Sequence, residues 1–146
     1  MQTGTAPTWT LTDLKSGAQV TNEKFAGKPV LMFFFNIGCD GCMMRGLPVA
    51  AEISKQYPEI NVIGVHSTFG AFGRDVEQIN TEVDKRNLPF PVLMDDKHIV
   101  FDAFEAEGTP HWVFVGTDGQ IERSIFGSQQ NALQRLEYGL MEQFGN

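Results

Sequence analysis

The chain lacks several things, and each absence removes a class of function. Cysteine is scarce: 146 residues hold two, Cys39 and Cys42. At that length a core forms without disulfide staples. Positive charge is in deficit. The formal net charge of −7 leaves no basic footprint for phosphate, so a nucleic-acid partner is excluded. No block of like charge stands out, and the densest acidic spot, Asp95–Asp96, suits a helix start. Long apolar runs are missing too. The longest, Val30 to Phe35, is far too short to span a bilayer. The opening residues, MQTGTAPTWTL, show neither the basic nor the apolar stretch of a secretion signal. Taken as a whole chain this implies a cytoplasmic protein; a trimmed export signal or anchor would place it outside the cytoplasm. No repeat, low-complexity tract or linker interrupts residues 1–146, so one domain is expected.

What is present is an alternation of buried strands and amphipathic helices. Trp9 to Leu11 reads as a short edge strand, followed by a turn at Lys15-Ser16-Gly17. VLMFFF after Pro29 and INVIGV at residues 60–65 are continuous apolar runs, as in strands covered on both faces. Between them Met43, Leu47, Ala50, Ile53 and Tyr57 recur at helical spacing, with Pro48 as a kink and Pro58 as the stop. Val76, Ile79 and Val83 carry a further helix ending near Asn87-Leu88-Pro89, and Phe90 to Met94 a short strand. Asp95 or Asp96 caps a helix holding Val100, Phe101 and Phe104. Trp112–Val115 and Ile121–Phe126 flank Asp118-Gly119, a hairpin signal. The last helix runs from about Ser128 to Phe144. The order implies an α/β fold with a mostly parallel sheet to which the hairpin adds antiparallel strands.

The two cysteines stand where a buried strand turns into a helix. A helix N-terminus favours a thiolate, and two intervening residues place the second sulfur one turn along. Cys39 is then the exposed nucleophile and Cys42 the buried resolving thiol. A zinc site is the competing interpretation. It would need two of His66, His98 and His111 to complete four ligands. The strand–helix context favours a redox pair over a metal or two inert thiols.

Three segments resemble the thioredoxin-like superfamily: Lys28 to Tyr57, Gly108-Thr109-Pro110 ahead of an apolar strand, and the Asp118-Gly119 hairpin. The additional helix and strand between about residues 67 and 94 resemble its TlpA-like and peroxiredoxin-like (redoxin, AhpC/TSA-like) branches. The likeness extends from about Trp9 to Phe144. It implies a thioredoxin fold, a central mixed sheet flanked by helices, with an inserted helix and strand and a short N-terminal extension. It further implies a monomer that exchanges disulfides with protein thiols and is recharged by an upstream reductant, without cofactor or metal. Within it Cys39 takes the attacking and Cys42 the resolving role. Pro110 takes the position of the family's cis-proline, and the backbone of Thr109 aligns the incoming chain.

Departures from the family pattern are equally informative. Gly38 stands where a tryptophan is usual, which removes an aromatic wall. Arg45 and Phe33 occupy the two positions at which relatives carry a proton-transferring acid. His111, next to Pro110, is the substitute candidate for tuning Cys39 or relaying a proton. His66, at the end of a parallel strand, is expected near the site in a structural role, and His98 is expected to be solvated. Asp40 between the cysteines opposes a thiolate on Cys39, which predicts a reducing pair. Phe69 and Phe72 in HSTFGAFG are candidates for an apolar rim around a partner chain.

A thiol–disulfide oxidoreductase is the leading function. A peroxidase of the peroxiredoxin-like branch would use Cys39 on peroxide, but Asn36 replaces the threonine that such enzymes place three residues ahead, and no proline lies between Pro29 and Cys39. A non-catalytic binding domain is the third alternative, and the intact C-x-x-C argues against it.

Overall fold

The computed structural model describes residues 4–69 and 75–144. Chain order is β1 (Gly4–Thr5), β2 (Thr10–Asp13), β3 (Gln19–Thr21), a 3₁₀ turn (Asn22–Phe25), β4 (Val30–Phe35), then a wide π-helical turn (Cys42–Gly46) that runs into α1 (Leu47–Gln56). There follow β5 (Asn61–Ser67), α2 (Val76–Asp84), β6 (Val92–Asp95), α3 (Ile99–Ala103), β7 (His111–Val115), β8 (Gln120–Phe126) and α4 (Gln130–Phe144). The strands form one mixed sheet in the order β1-β8-β7-β4-β5-β6-β2-β3. Among the described residues no helix is long and apolar enough to cross a membrane.

β4 lies parallel to β5 and antiparallel to β7, and every one of its six side chains is buried. An unbroken apolar strand fits only a sheet covered on both faces. Alternation then sorts its side chains. Leu31, Phe33 and Phe35 join a core with Cys42, Trp112 and the buried faces of α1, α2 and α4. Val30, Met32 and Phe34 join a second core with Val113 and with Val100, Phe101 and Phe104 around α3. In the first core the Phe33 ring lies 4.5 Å from Trp112 and 5.2 Å from Phe35. That aromatic floor lies beneath the dithiol.

Pro48 stands in the first turn of α1, directly after the π turn. The helix widens into that turn just ahead of Pro48, because proline has no N–H to donate one turn back. Gly46 closes that turn against the core: a Cβ there would stand 2.7 Å from the Phe33 ring.

The N-terminal segment does more than add an edge strand. β2 spans Thr10–Asp13 and lies inside the sheet, between β6 and β3, while β3 is the edge. The turn expected at Lys15-Ser16-Gly17 reverses the chain, with Ser16 N–H donating to the Asp13 carboxylate and Gly17 at φ +73°. β3 carries a single apolar residue, Val20, too few for periodicity to mark it. β1 pairs with β8 at the opposite edge. The N-cap of α3 is His98, at φ +48°, rather than Asp95 or Asp96, yet the Asp95 carboxylate still serves the helix start by accepting from the N–H groups of Val100 and Phe101 at 3.1 and 2.9 Å. α2 and β6 occupy the stretch between β5 and α3, with α2 ending at Asp84, ahead of Asn87 at φ +47°.

Candidate functional site

At the carboxyl end of β4, residues 36–38 carry the chain over the sheet edge and into the helix. Their path is set by two buried polar side chains. The Asn36 amide donates to the Ser67 carbonyl at 2.8 Å, and its oxygen accepts from Gly38 N–H at 2.8 Å. His66, paired with Phe35 in the sheet register, accepts from Ile37 N–H through Nε2 at 3.2 Å. Its Nδ1 lies 3.4 Å from the Thr68 hydroxyl, so the neutral tautomer bears its hydrogen there. Burial pushes His66 down to about 4 and keeps it an acceptor at neutral pH. The support continues through the Ser67 hydroxyl, which donates to Asp95 at 2.9 Å. His66 is thus a loop-holding residue, as expected. The same duty of Asn36 was not read from the sequence, where a polar residue closing an apolar run was its one signal.

The loop delivers Cys39 to the helix start. Its sulfur is half-buried and accepts the Cys42 N–H at 3.2 Å, while the thiol reaches the Thr109 carbonyl at 3.4 Å. A sulfur capping a free backbone N–H at a helix N-terminus lies in the field that stabilises anions. Cys42, one turn on, is fully buried, and both cysteines are free thiols. Burial pushes the Cys42 thiol up, and the hydrogen bond with Cys39 adds to this. The Asn36 backbone and the Thr109 side chain pull it back in part. One sulfur is reachable and the other is sheltered.

The Thr109–Pro110 peptide bond is cis. Pro110 is buried, and its carbonyl accepts Gly127 N–H at 2.8 Å. The Trp112 indole donates to the Gly127 carbonyl at 3.0 Å. These bonds draw the Gly127–Ser128 segment against the dithiol. A Cβ on Gly41 would stand 2.8 Å from the Ser128 hydroxyl, so a larger residue there would require that hydroxyl to turn aside. Arg45 is exposed and lies 3.5 Å from the Ser128 carbonyl, and Asp40 is exposed in the first turn of the helix.

The structure therefore brings Cys39, Cys42, Thr109 and Pro110 together, with Asp40 and Arg45 on the adjoining helix. It does not bring His111 to them. Trp112 shares the core of Cys42, so alternation along β7 turns His111 to the other face of the sheet. There Nε2 lies 2.8 Å from the Ser124 hydroxyl and Nδ1 accepts Glu107 N–H at 3.4 Å. Burial pushes His111 down to about 4. Sequence adjacency to Pro110 misled here because one step along a strand reverses a side chain. Phe69 lines a depression with Asn36, Gly38, Cys39 and Thr109, whereas Phe72 lies outside the described residues. His98, half exposed, pairs with Asp102 at 2.9 Å. Among the described residues no three His, Cys, Asp or Glu side chains converge to hold a metal.

Comparison with known proteins agrees with this geometry. The AhpC/TSA family matches residues 3–124. The thiol-disulfide oxidoreductase YkuV of Bacillus subtilis is 30% identical over 82% of this chain and 80% of its own. The thiol-disulfide oxidoreductase ResA of Geobacillus kaustophilus is 27% identical over 85% of this chain and 68% of its own. A crystal structure of a putative thiol:disulfide interchange protein DsbE from Chlorobium tepidum superposes with a TM-score of 0.84 at 17% identity, covering 97% of this chain and 96% of that one. A thioredoxin-like sheet, a C-x-x-C at its helix start and these relatives converge: the chain belongs to the AhpC/TSA family, among its thioredoxin-like thiol–disulfide oxidoreductases.

Proposed function

We propose that the protein reduces disulfides in other polypeptides through Cys39 and Cys42. The observation that carries this is the unequal pair: a reachable Cys39 sulfur on the Cys42 N–H beside the cis Thr109–Pro110 bond, and a sealed Cys42 one turn behind it. The Cys39 thiolate attacks one sulfur of the substrate disulfide. That S–S bond breaks, a mixed disulfide forms, and the second substrate sulfur leaves as a thiolate. Cys42 then loses its proton and attacks Cys39, releasing the first substrate sulfur as a thiolate. The substrate gains two electrons and the Cys39–Cys42 pair is left as a disulfide. An upstream dithiol returns it to the reduced state.

The proton on Cys42 has a route without a protein acid. Once Cys39 is bonded to substrate, its hydrogen bond and charge no longer hold the Cys42 proton in place. The substrate thiolate freed in the first step, a base near neutral pH, takes that proton through solvent and becomes a thiol. Arg45 and Phe33 offer no base, and the His111 ring is engaged on the far face. Resolution is therefore the pH-sensitive step and accelerates as pH rises above neutrality. The poise is reducing: the Asp40 carboxylate adjoins Cys39, and a like charge beside the reduced sulfur disfavours the reduced pair. A peroxidase role has less support, because the Asn36 side chain is spent on Ser67 and Gly38 rather than offered beside Cys39.

Turnover of insulin disulfides with a dithiol reductant, run beside hydrogen peroxide consumption, tests this. The expected result is insulin reduction lost in both Cys39→Ser and Cys42→Ser. Peroxide consumption that survives Cys42→Ser, with no insulin turnover, would replace the proposal with a peroxidase.

A further inference from the structure

The family position usually filled by tryptophan is Gly38, yet the space beside Cys39 is not without an aromatic wall. Phe69, at the end of the segment following β5, lines the same depression as Asn36, Gly38, Cys39 and Thr109. Its ring is 40% exposed, and it is held from behind rather than tucked away. It stacks on His98 with ring centres 4.6 Å apart and planes at 21°, and meets the buried Phe101 edge-on at 5.0 Å. His98 is itself fixed by its bond to Asp102 at 2.9 Å. Among the described residues the lining carries no charged side chain.

We propose that this depression is a subsite for an apolar side chain next to the reacting cysteine of the substrate, so that the protein prefers disulfides flanked by aliphatic or aromatic residues. This rests on the thiol-exchange function proposed above. The occupant follows from reach. In the mixed disulfide the substrate sulfur sits about 2 Å from Cys39, and the next substrate residue is one Cα step, about 3.8 Å, further along. That side chain lands over the depression that Cys39 itself lines. An apolar group there gains contact with a ring already fixed in place, so little ordering cost offsets the gain. A charged group loses hydration and finds no partner. Glycine at position 38 leaves the entrance open, and the wall comes from a different loop.

The test uses two disulfide-bonded peptides identical except that the residue after the reacting cysteine is Leu in one and Ser in the other, with hydroxyethyl disulfide as a substrate lacking flanking residues. The wild-type protein should favour the Leu peptide about tenfold in kcat/KM, the scale of a modest apolar contact. Phe69→Ala should erase that preference and leave hydroxyethyl disulfide turnover within about twofold, since the sulfurs are untouched. Phe69→Leu should retain most of it and guards against a fold defect in the alanine variant. Equal rates on both peptides by the wild type, or a preference that survives Phe69→Ala, would overturn the subsite while thiol exchange stands. Failure to turn over any disulfide, hydroxyethyl disulfide included, would overturn the exchange function and the subsite with it.

Discussion

The two ends of β4 differ in a way that runs against a common expectation. The amino end opens onto a cleft of about 460 Å³, lined among others by Trp9, Phe25, Val30, Met32 and Val115. Its lining includes neither cysteine nor histidine. At the carboxyl end the reactive Cys39 lines a shallow depression of about 190 Å³. Small-molecule enzymes use large concave pockets. Exchange with a polypeptide disulfide needs something else: one sulfur reachable from outside, a second close behind it, and backbone held to receive a chain. The difference teaches that hydrogen bonds around the sulfur, rather than cavity size, mark the working end.

The strongest way to break this comparison is to disable each end in turn. Cys39→Ser should abolish disulfide reduction with no loss of stability. Trp9→Ala should leave the rate per folded molecule unchanged while lowering unfolding free energy by about 3–5 kcal/mol, the usual cost of emptying a large aromatic site. Urea melts and insulin turnover on both variants measure this, and a rate loss in folded Trp9→Ala would return function to the larger cleft. Next comes the loop support. Asn36→Ala strands the Gly38 N–H and the Ser67 carbonyl, and should cost about 1–3 kcal/mol together with a slower attack by Cys39. Rapid-mixing alkylation with iodoacetamide reads the second effect.

Acid should act on the two faces of the sheet together. His66 and His111 are held at about 4 in the folded protein, below the usual value near 6.5. Between those values the unfolded chain takes up protons that the native state refuses. Stability is therefore full above about pH 6.5, falls as pH drops toward 4, and levels off below, by up to about 3 kcal/mol for each histidine. Thermal melts from pH 7.5 to 4 should show the slope, and His111→Gln should flatten its share without touching thiol reactivity. The smallest expected effect is Asp40→Asn. Removing the charge beside Cys39 should raise the reduction potential by about 10–20 mV, a fraction of the roughly 30 mV that corresponds to 1.4 kcal/mol, measured by equilibration with a glutathione buffer.

Much of this was legible in the residues, and unevenly so. VLMFFF announced a doubly covered strand because six apolar side chains in a row allow no wet face. The C-x-x-C was visible as a local pattern where a buried strand turns into a helix, whereas the role of Thr109-Pro110 came from the family resemblance and not from the local residues. What escaped depended on partners distant in sequence. β3 has one apolar residue and is held by pairing with β2. The role of Asn36 depends on Ser67, thirty-one positions away. His111 looked adjacent to the site, yet pleating turned it to the other core beside Ser124.

The central claim is that the two sulfurs have separate tasks, and trapping measures it most directly. Cys42→Ser, reduced and mixed with a disulfide-bonded peptide, should accumulate a one-to-one mixed disulfide, located at Cys39 by mass spectrometry of the digested adduct. Cys39→Ser under the same conditions should accumulate none, because the remaining Cys42 is sealed and its thiol is pushed up by burial. Substrate captured at Cys42 with Cys39 absent, at a rate near that of the other variant, would contradict the account.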